Sequence, residues 1–183
     1  MKIIKFVTIL SMLLGTVTFA AEFHAKQPIL ISAAGQSQDV TMVKILAQKA
    51  DLKFTFDKMA KPDQLKDHAT LILVTGASTK GLGAANIDKD QELDRVKNLI
   101  KAAREAKMDI ITMHVGGPSR RGKLSDEFNK LTAENADCLI IVKNGDEDQM
   151  FSKTAEGKKI PIYSIDKIVE AGDILKQIFE EKK

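Results

Sequence analysis

The sequence predicts an α/β fold, a three-layer αβα sandwich with a Rossmann-like or flavodoxin-like, mostly parallel sheet of about six strands. Short apolar runs recur along the chain, and most are apolar on both faces, which is typical of strands that a parallel sheet buries on both sides. Amphipathic stretches with helix signals alternate with these runs. The predicted strands cover 29–33, 54–56, 70–75, 109–115, 138–142 and 160–164.

The predicted helices are indicated by their first residues and by the apolar stripes that follow. Asp88 and Gln91 have the spacing of a capping box. Ser125 is a predicted N-cap, because acidic residues follow it in the first turn. Asp166 is the predicted cap of the last helix. The stripes cover 39–50, 89–103, 150–155 and 168–181.

The N-terminus has the pattern of a secretory signal peptide. Lys2 and Lys5 precede an apolar run, and small residues at 18–21 form a cleavage site. The apolar run is too short to span a bilayer comfortably, so we expect a soluble, exported protein, periplasmic or extracellular, with no membrane span after cleavage. The expected organisation is a signal peptide at 1–20, a flexible tail at 21–27 and a single α/β domain at 28–183.

Composition argues against several classes of partner. Without Lys2 and Lys5 of the signal peptide, the 28 basic residues fall to 26 against 25 acidic ones, a net charge of about +1. No basic stripe with interleaved aromatic residues is present, so nucleic-acid binding is not expected. The lone Cys138 lies in an apolar run and is expected to be buried. The three histidines lack metal-ligand spacing, and neither a metal nor a cofactor is expected.

The segment VTGASTKGLG, residues 74–83, invites comparison with a nucleotide-binding turn. The short-chain dehydrogenase turn has three residues between its first two glycines, whereas four separate Gly76 from Gly81 here, after the third strand and not the first. Gly81 is also not followed by the Lys and Ser or Thr of a Walker loop. Tyr163 and Lys167 have the dehydrogenase spacing, but they end a predicted strand and open a helix. We therefore reject a nicotinamide-dependent dehydrogenase.

The polar and glycine-rich segments follow predicted strands, at the edge where open parallel sheets bind ligands. Backbone N–H groups, hydroxyls and a lysine can hold an anion, and arginine forks match carboxylate or phosphate oxygens. The alternative is that these segments are ordinary connections with solvated charges. The candidate ligand-binding residues are Gly35, Gln36, Ser37, Ser78, Thr79, Lys80, His114, Gly116, Gly117, Arg120 and Arg121.

His114 is the candidate acid or base, because histidine titrates near neutrality. It ends a predicted strand, so its ring points either into the core or into the site. A serine nucleophile would need His114 and a carboxylate such as Asp39 or Asp166 to converge. No G-x-S-x-G elbow is present, and the sequence leaves open whether the protein is an enzyme.

Three motifs in order, ISAAGQSQDV, STKGLGAANID and HVGGPSRRGKLSD, resemble those of a family of exported bacterial proteins known as a domain of unknown function. The resemblance covers nearly the whole mature chain. It implies export and a Rossmann-like fold, and it implies no activity. From the residues we expect a module that binds a small anionic ligand, or a protein partner, at the strand-end loops. The alternative is a small hydrolase or transferase acting on an anionic substrate.

Overall fold

The computed structural model describes residues 23–180, which form six strands and six α-helices. The strands are β1 (Ile29–Ala34), β2 (Phe54–Phe56), β3 (Thr70–Thr75), β4 (Asp109–His114), β5 (Cys138–Val142) and β6 (Ile162–Ile165). The helices are α1 (Asp39–Lys49), α2 (Thr79–Ala84), α3 (Lys89–Glu105), α4 (Lys123–Glu134), α5 (Met150–Lys158) and α6 (Ala171–Phe179).

All strand pairs are parallel, in the order β2-β1-β3-β4-β5-β6. Helices α1 and α6 cover one face of the sheet, and α3, α4 and α5 cover the other. Alternate residues of each strand enter opposite cores, as in β1, where Ile29 and Ile31 face α1 while Leu30 faces α3. The predicted three-layer α/β fold is confirmed. Its strand order is of the flavodoxin type.

Strand order reverses at β1, which lies between β2 and β3. The chain leaves β1 through α1 on one face, whereas it leaves β3 through α2 and α3 on the way to β4 on the other. The loops after β1 and β3 therefore diverge at the carboxyl edge, which is where ligands of such sheets bind. An isolated antiparallel bridge between Gln36 and Ala77 joins the two loops at this point.

Two predicted helix starts are wrong. Helix α4 begins at Lys123 after Gly122, not at a Ser125 cap, because the Asp126 carboxylate accepts a hydrogen bond from the Gly122 N–H and closes an earlier turn. Asp166 does not cap the last helix. A 3₁₀ turn, Ile168–Glu170, precedes α6 instead.

Other boundaries differ from prediction by small amounts. Strand β6 begins at Ile162, two residues later than predicted, after Pro161, which has no N–H to donate to a sheet ladder. The sequence predicts a turn and no helix at 79–84. The segment forms a short helix because the Ser78 hydroxyl accepts a hydrogen bond from the Gly81 N–H. The capping box of Asp88 and Gln91 is confirmed.

The segment 23–27, expected to belong to a flexible tail, lies against the domain. Phe23 and Ala25 pack on the core between the sheet and α6, and the Ala25 N–H donates to the Ile178 carbonyl at 3.0 Å. The Thr70 hydroxyl donates to the carbonyl of Lys26 at 2.7 Å. The predicted signal peptide at 1–20 lies outside the described residues. Between residues 23 and 180, no helix combines the length and apolarity needed to cross a membrane.

Candidate functional site

The loops after β1 and β3 lie in direct backbone contact. The Ser78 N–H donates to the Gly35 carbonyl at 2.9 Å, and the Gly76 N–H donates to the Ala34 carbonyl at 3.0 Å. A Cβ atom on Gly35 would lie 2.8 Å from the Cα atom of Ala77, and the φ angle of Gly35 is +104°. Both facts require glycine at position 35. The two loops therefore form one packed surface at the carboxyl edge.

A buried carboxylate on α3 holds the loop after β1 through hydrogen bonds. Glu92 of α3 is fully buried and accepts hydrogen bonds from the Gly35 N–H at 3.0 Å and from Gln36 Nε2 at 2.9 Å. Arg95 donates to the same carboxylate through Nε at 2.7 Å and also bonds the carbonyl of Ala33. These bonds hold Gln36 in a left-handed conformation with φ +60°.

Sequence reasoning missed Glu92 and Arg95. A signal was present, because Glu92 lies four residues before Val96 on the apolar stripe of α3, where a charged side chain must find a buried partner. Arg95, three residues further on, is that partner.

Arg120 crosses the ends of three strands. Its Nε donates to Asp39 Oδ2 at 2.9 Å, and the Ser37 hydroxyl donates to the same oxygen at 3.0 Å. Its aliphatic stem packs against Gly76 and Gly116, where an added Cβ would overlap it. The guanidinium of Arg120 is thus held where the loops after β1, β3 and β4 meet.

Arg121 points toward the loop after β5. It forms ion pairs with Asp126 at 2.8 Å and Asp148 at 2.7 Å, and it donates to the Gly145 carbonyl at 2.6 Å. Hydrogen bonds from Arg121 lower the pKa of Asp148 to about 2. Burial opposes ionisation of Asp126, but the hydrogen bond from Arg121 leaves the pKa of Asp126 below its usual value. Through these bonds, Arg121 links α4 to the loop after β5.

His114 points into the domain. Its side chain is fully buried, its ring lies 4.8 Å from that of Phe151, and Gly145 packs against the ring edge. Nε2 lies 3.2 Å from the Gly117 carbonyl, which can only accept, so Nε2 carries the proton. Nδ1 is buried and has no hydrogen-bond partner in the part of the chain that the structure describes. Burial lowers the pKa of His114, and the nearby charge of Arg121 lowers it further, so the ring is neutral at pH 7.

The serines of these loops all make hydrogen bonds away from His114. Ser37 donates to Asp39, Ser78 accepts from the Gly81 N–H, and the exposed Ser119 donates to the Gly116 carbonyl at 2.8 Å. Within residues 23–180 the hydroxyls of these three serines do not bond the His114 ring, so none of them is paired with His114 as nucleophile and base.

The remaining predicted residues take different positions. Thr79 and Lys80 are exposed at the start of α2, and the Lys80 ammonium has no ion pair in the described part of the chain. Gly117 has φ +57° and lies against Asn144 of the β5 loop. The ion pair between Arg120 and Asp39 brings the loops after β1 and β4 into contact, and Lys80 lies exposed on α2 at the same edge of the sheet.

Across residues 23–180, no three His, Cys, Asp or Glu side chains are grouped so that they could hold a metal ion. Cys138 is buried, as predicted, and burial raises the pKa of its thiol well above the usual range. A raised pKa keeps the thiol protonated and unreactive.

The fold and its strand-end loops define the class, a flavodoxin-type α/β protein with its polar loops gathered at the carboxyl edge. The chain belongs to the family described as Domain of unknown function (DUF6305), whose model matches residues 26–179. This confirms the resemblance to a family of unknown function. No curated protein matches the sequence.

A solved structure offers a looser likeness. The crystal structure of a GDSL-like lipase from Bacteroides thetaiotaomicron VPI-5482 is 12% identical over 82% of this chain and 83% of that one, with a TM-score of 0.37. A likeness at this score carries no argument about the chemistry of the present chain.

Proposed function

We propose that the protein is an exported module that binds a small anionic ligand, a carboxylate or a phosphate, at the carboxyl edge of its sheet. The observation that carries this proposal is the position of Arg120. Its guanidinium lies at the junction of the β1, β3 and β4 loops, and its Nη2 makes no hydrogen bond within the described residues. An arginine held in this way can offer a donor to an oxyanion without reorganising.

The residues around Arg120 have different roles in the proposed site. Lys80, exposed on α2, adds a second cation to the same edge. Arg121 has a supporting role, because Asp126 and Asp148 already occupy its donors. The glycines Gly35, Gly116 and Gly117 bring the backbone close, and Gln36 and Ser37 hold the β1 loop and Asp39 in position.

The hydrogen bonds favour binding over hydrolysis or group transfer. Hydrolysis by a serine would require a base beside the hydroxyl, and His114 instead donates to the Gly117 carbonyl inside the core. As general acid or base His114 would also need contact with a substrate, but its side chain has no exposed surface. We therefore assign His114 a structural role.

Export is proposed from the N-terminal pattern of a charged residue pair, an apolar run and small residues. Protein purified from outside the cytoplasm is expected to begin at Ala21, and intact-mass measurement with N-terminal sequencing would show it. Recovery of chain that begins at Met1, confined to the cytoplasm, would contradict export.

Thermal unfolding tests the ligand proposal. A panel of phosphate, dicarboxylates and nucleotides is added to the protein, and a ligand at about a hundred times its Kd should add roughly 2.7 kcal/mol of stability, a shift of a few degrees. The shift should be absent in Arg120→Gln. It should persist in Arg104→Gln, which breaks a comparable ion pair with Asp137, 2.7 Å long, at the opposite edge of the sheet.

Each variant is compared with its own melting temperature without ligand, so its intrinsic stability does not enter the result. A shift that survives in Arg120→Gln would contradict the assignment of the site. No shift with any small anion would contradict the proposed anion site and favour a protein partner at these loops.

A further inference from the structure

We infer that the ligand is a small zwitterion, a molecule that carries one carboxylate and one ammonium group, as a free amino acid does. The inference rests on the proposed function, because it concerns the same edge and the same guanidinium. It adds a second recognition group, the carboxylate of Asp39, and thereby narrows the class of ligand.

The ion pair between Arg120 and Asp39 leaves one polar atom of each side chain without a partner among the described residues. Asp39 Oδ2 accepts from both Arg120 Nε and the Ser37 hydroxyl, while Asp39 Oδ1 has no partner in the described part of the chain. Arg120 Nη2 likewise makes no bond there. The side chains of Arg120 and Asp39 are 25% and 19% exposed, and neither unused atom is among the buried polar atoms. The pair thus presents an acceptor and a donor to solvent.

The charges of the pair favour a ligand with both signs. A simple anion that approaches Arg120 also approaches the negative charge of Asp39, which lies 2.9 Å from the guanidinium. Opposed charges of this kind lower the affinity for such an anion and select against it. A zwitterion meets each charge with its opposite, its carboxylate on Arg120 Nη2 and its ammonium on Asp39 Oδ1.

Both recognition groups are held before the ligand arrives. The Ser37 hydroxyl fixes the Asp39 carboxylate at the first residue of α1, and Ser37 itself is fully buried. The stem of Arg120 packs against Gly76 and Gly116, so the guanidinium has little freedom to move. Groups that are ordered in the free protein lose little entropy on binding, which favours affinity for a ligand as small as an amino acid.

Calorimetric titration of the protein with glycine, acetate and methylammonium, each at the same pH and ionic strength, tests the inference. We expect glycine to bind at least about tenfold more tightly than acetate, and methylammonium to bind more weakly than glycine. β-Alanine and γ-aminobutyrate, which separate the same two charges by longer chains, then define the spacing that the pair accepts.

Two variants separate the roles of the two charges. Asp39→Asn keeps an oxygen for Ser37 and Arg120 but removes the negative charge, so glycine should lose its advantage while acetate binds at least as tightly as before. Arg120→Gln should abolish binding of both glycine and acetate. Arg104→Gln at the opposite edge should change neither.

Acetate that binds the unsubstituted protein as tightly as glycine would overturn the zwitterion inference and leave the proposed anion site standing. Glycine binding that is unchanged in Asp39→Asn would also overturn the inference. If glycine, acetate and phosphate all fail to bind, both the inference and the proposed function are wrong. The comparison of ligands on the unsubstituted protein holds even if a variant fails to fold.

Discussion

Glycine residues determine how closely the strand-end loops approach one another. A Cβ on Gly81 would overlap the carbonyl oxygen of Gln36, so α2 can lie on the β1 loop only without a side chain there. A Cβ on Gly145 would likewise overlap the His114 ring, and a Cβ on Gly117 would overlap the Asn144 side chain. The candidate site is therefore built from backbone contacts that single methyl groups would disturb.

The two glycines of α2 provide a matched test of this packing. Gly81→Ala should lower the free energy of unfolding by about 1–3 kcal/mol, because the backbone carbonyl in its way cannot rotate aside. Gly83→Ala, two residues further on with open space around it, should leave stability unchanged or raise it by up to about 1 kcal/mol through helix propensity. Urea unfolding measures the stability of the two variants. Equal unfolding midpoints would contradict the close packing of Gly81 on the Gln36 carbonyl.

The buried His114 ring should make the free energy of unfolding depend on pH. Its pKa in the folded protein is lowered from the usual 6.5 by burial, so the unfolded chain binds a proton more readily. The contribution of His114 to stability is therefore complete above about pH 6.5 and is lost as pH falls below that value. The maximum slope for one proton is about 1.4 kcal/mol per pH unit.

Urea unfolding between pH 5 and pH 7 measures this slope, within the range where histidine titrates. In His114→Gln the slope should be reduced, whatever the absolute stability of the variant. The lowered pKa of Asp148, about 2 against a usual 3.8, removes stability only at lower pH and does not enter this window. An unchanged slope in the variant would mean that the buried ring does not govern this range.

Among the helices, α4 takes its first residue from the loop that precedes it, and it contacts the loop after β3 directly. The Ser125 hydroxyl, on the buried side of α4, accepts a hydrogen bond from the Ala77 N–H at 3.0 Å. The serine that the sequence suggested as a cap thus joins α4 to the loop after β3 instead. Asn129, one turn later, accepts from the Thr75 hydroxyl at 3.0 Å and strengthens the same contact.

Replacing Ser125 with alanine should leave the buried Ala77 N–H without an acceptor, which costs about 1–3 kcal/mol. Ser119→Ala is the matched control, since its hydroxyl is exposed and its loss should cost less than about 0.5 kcal/mol. Thermal or urea unfolding distinguishes them. Equal losses would show that the hydroxyl of Ser125 does not hold α4 to the loop.

The elements of the core could be predicted from the sequence, and those that depend on local bonds between distant segments could not. Strand β5 was predicted with its true boundaries because it is apolar on both faces and ends at polar residues. Helix α2 was missed because its sequence, TKGLGA, contains two glycines and has low helix propensity. Its stability comes from the Ser78 cap and from contact with the β1 loop.

The same division applies to the candidate site. Parallel topology requires the segments after β1, β3 and β4 to share one edge, so their meeting could be predicted. The pairing of Arg120 with Asp39, 81 residues away in the chain, depends on how the loops pack. The pairing of Arg121 with Asp126 and Asp148 does so as well, and for this reason the two arginines were indistinguishable in the sequence although their environments differ.

Across the whole protein, the two edges of the sheet each carry an arginine in an ion pair, and the surroundings of the two arginines differ. At the amino edge, the ion pair of Arg104 with Asp137 joins the end of α3 to the residue before β5, and Asp137 also accepts from the Ile110 N–H at 2.8 Å. At the carboxyl edge, the guanidinium of Arg120 lies where the loops after β1, β3 and β4 meet, and its Nη2 has no partner among residues 23–180. We therefore expect an anion that binds a guanidinium to prefer the carboxyl edge, where the loops after β1, β3 and β4 meet around Arg120.

Mapping of backbone amide chemical shifts during titration with phosphate and with acetate tests this expectation most directly. We predict concentration-dependent shifts at 37–39, 76–80 and 116–121, at the carboxyl edge, and their loss in Arg120→Gln. Shifts confined to the amino edge around Arg104, or no saturable shift with either anion, would contradict an anion site at the strand ends.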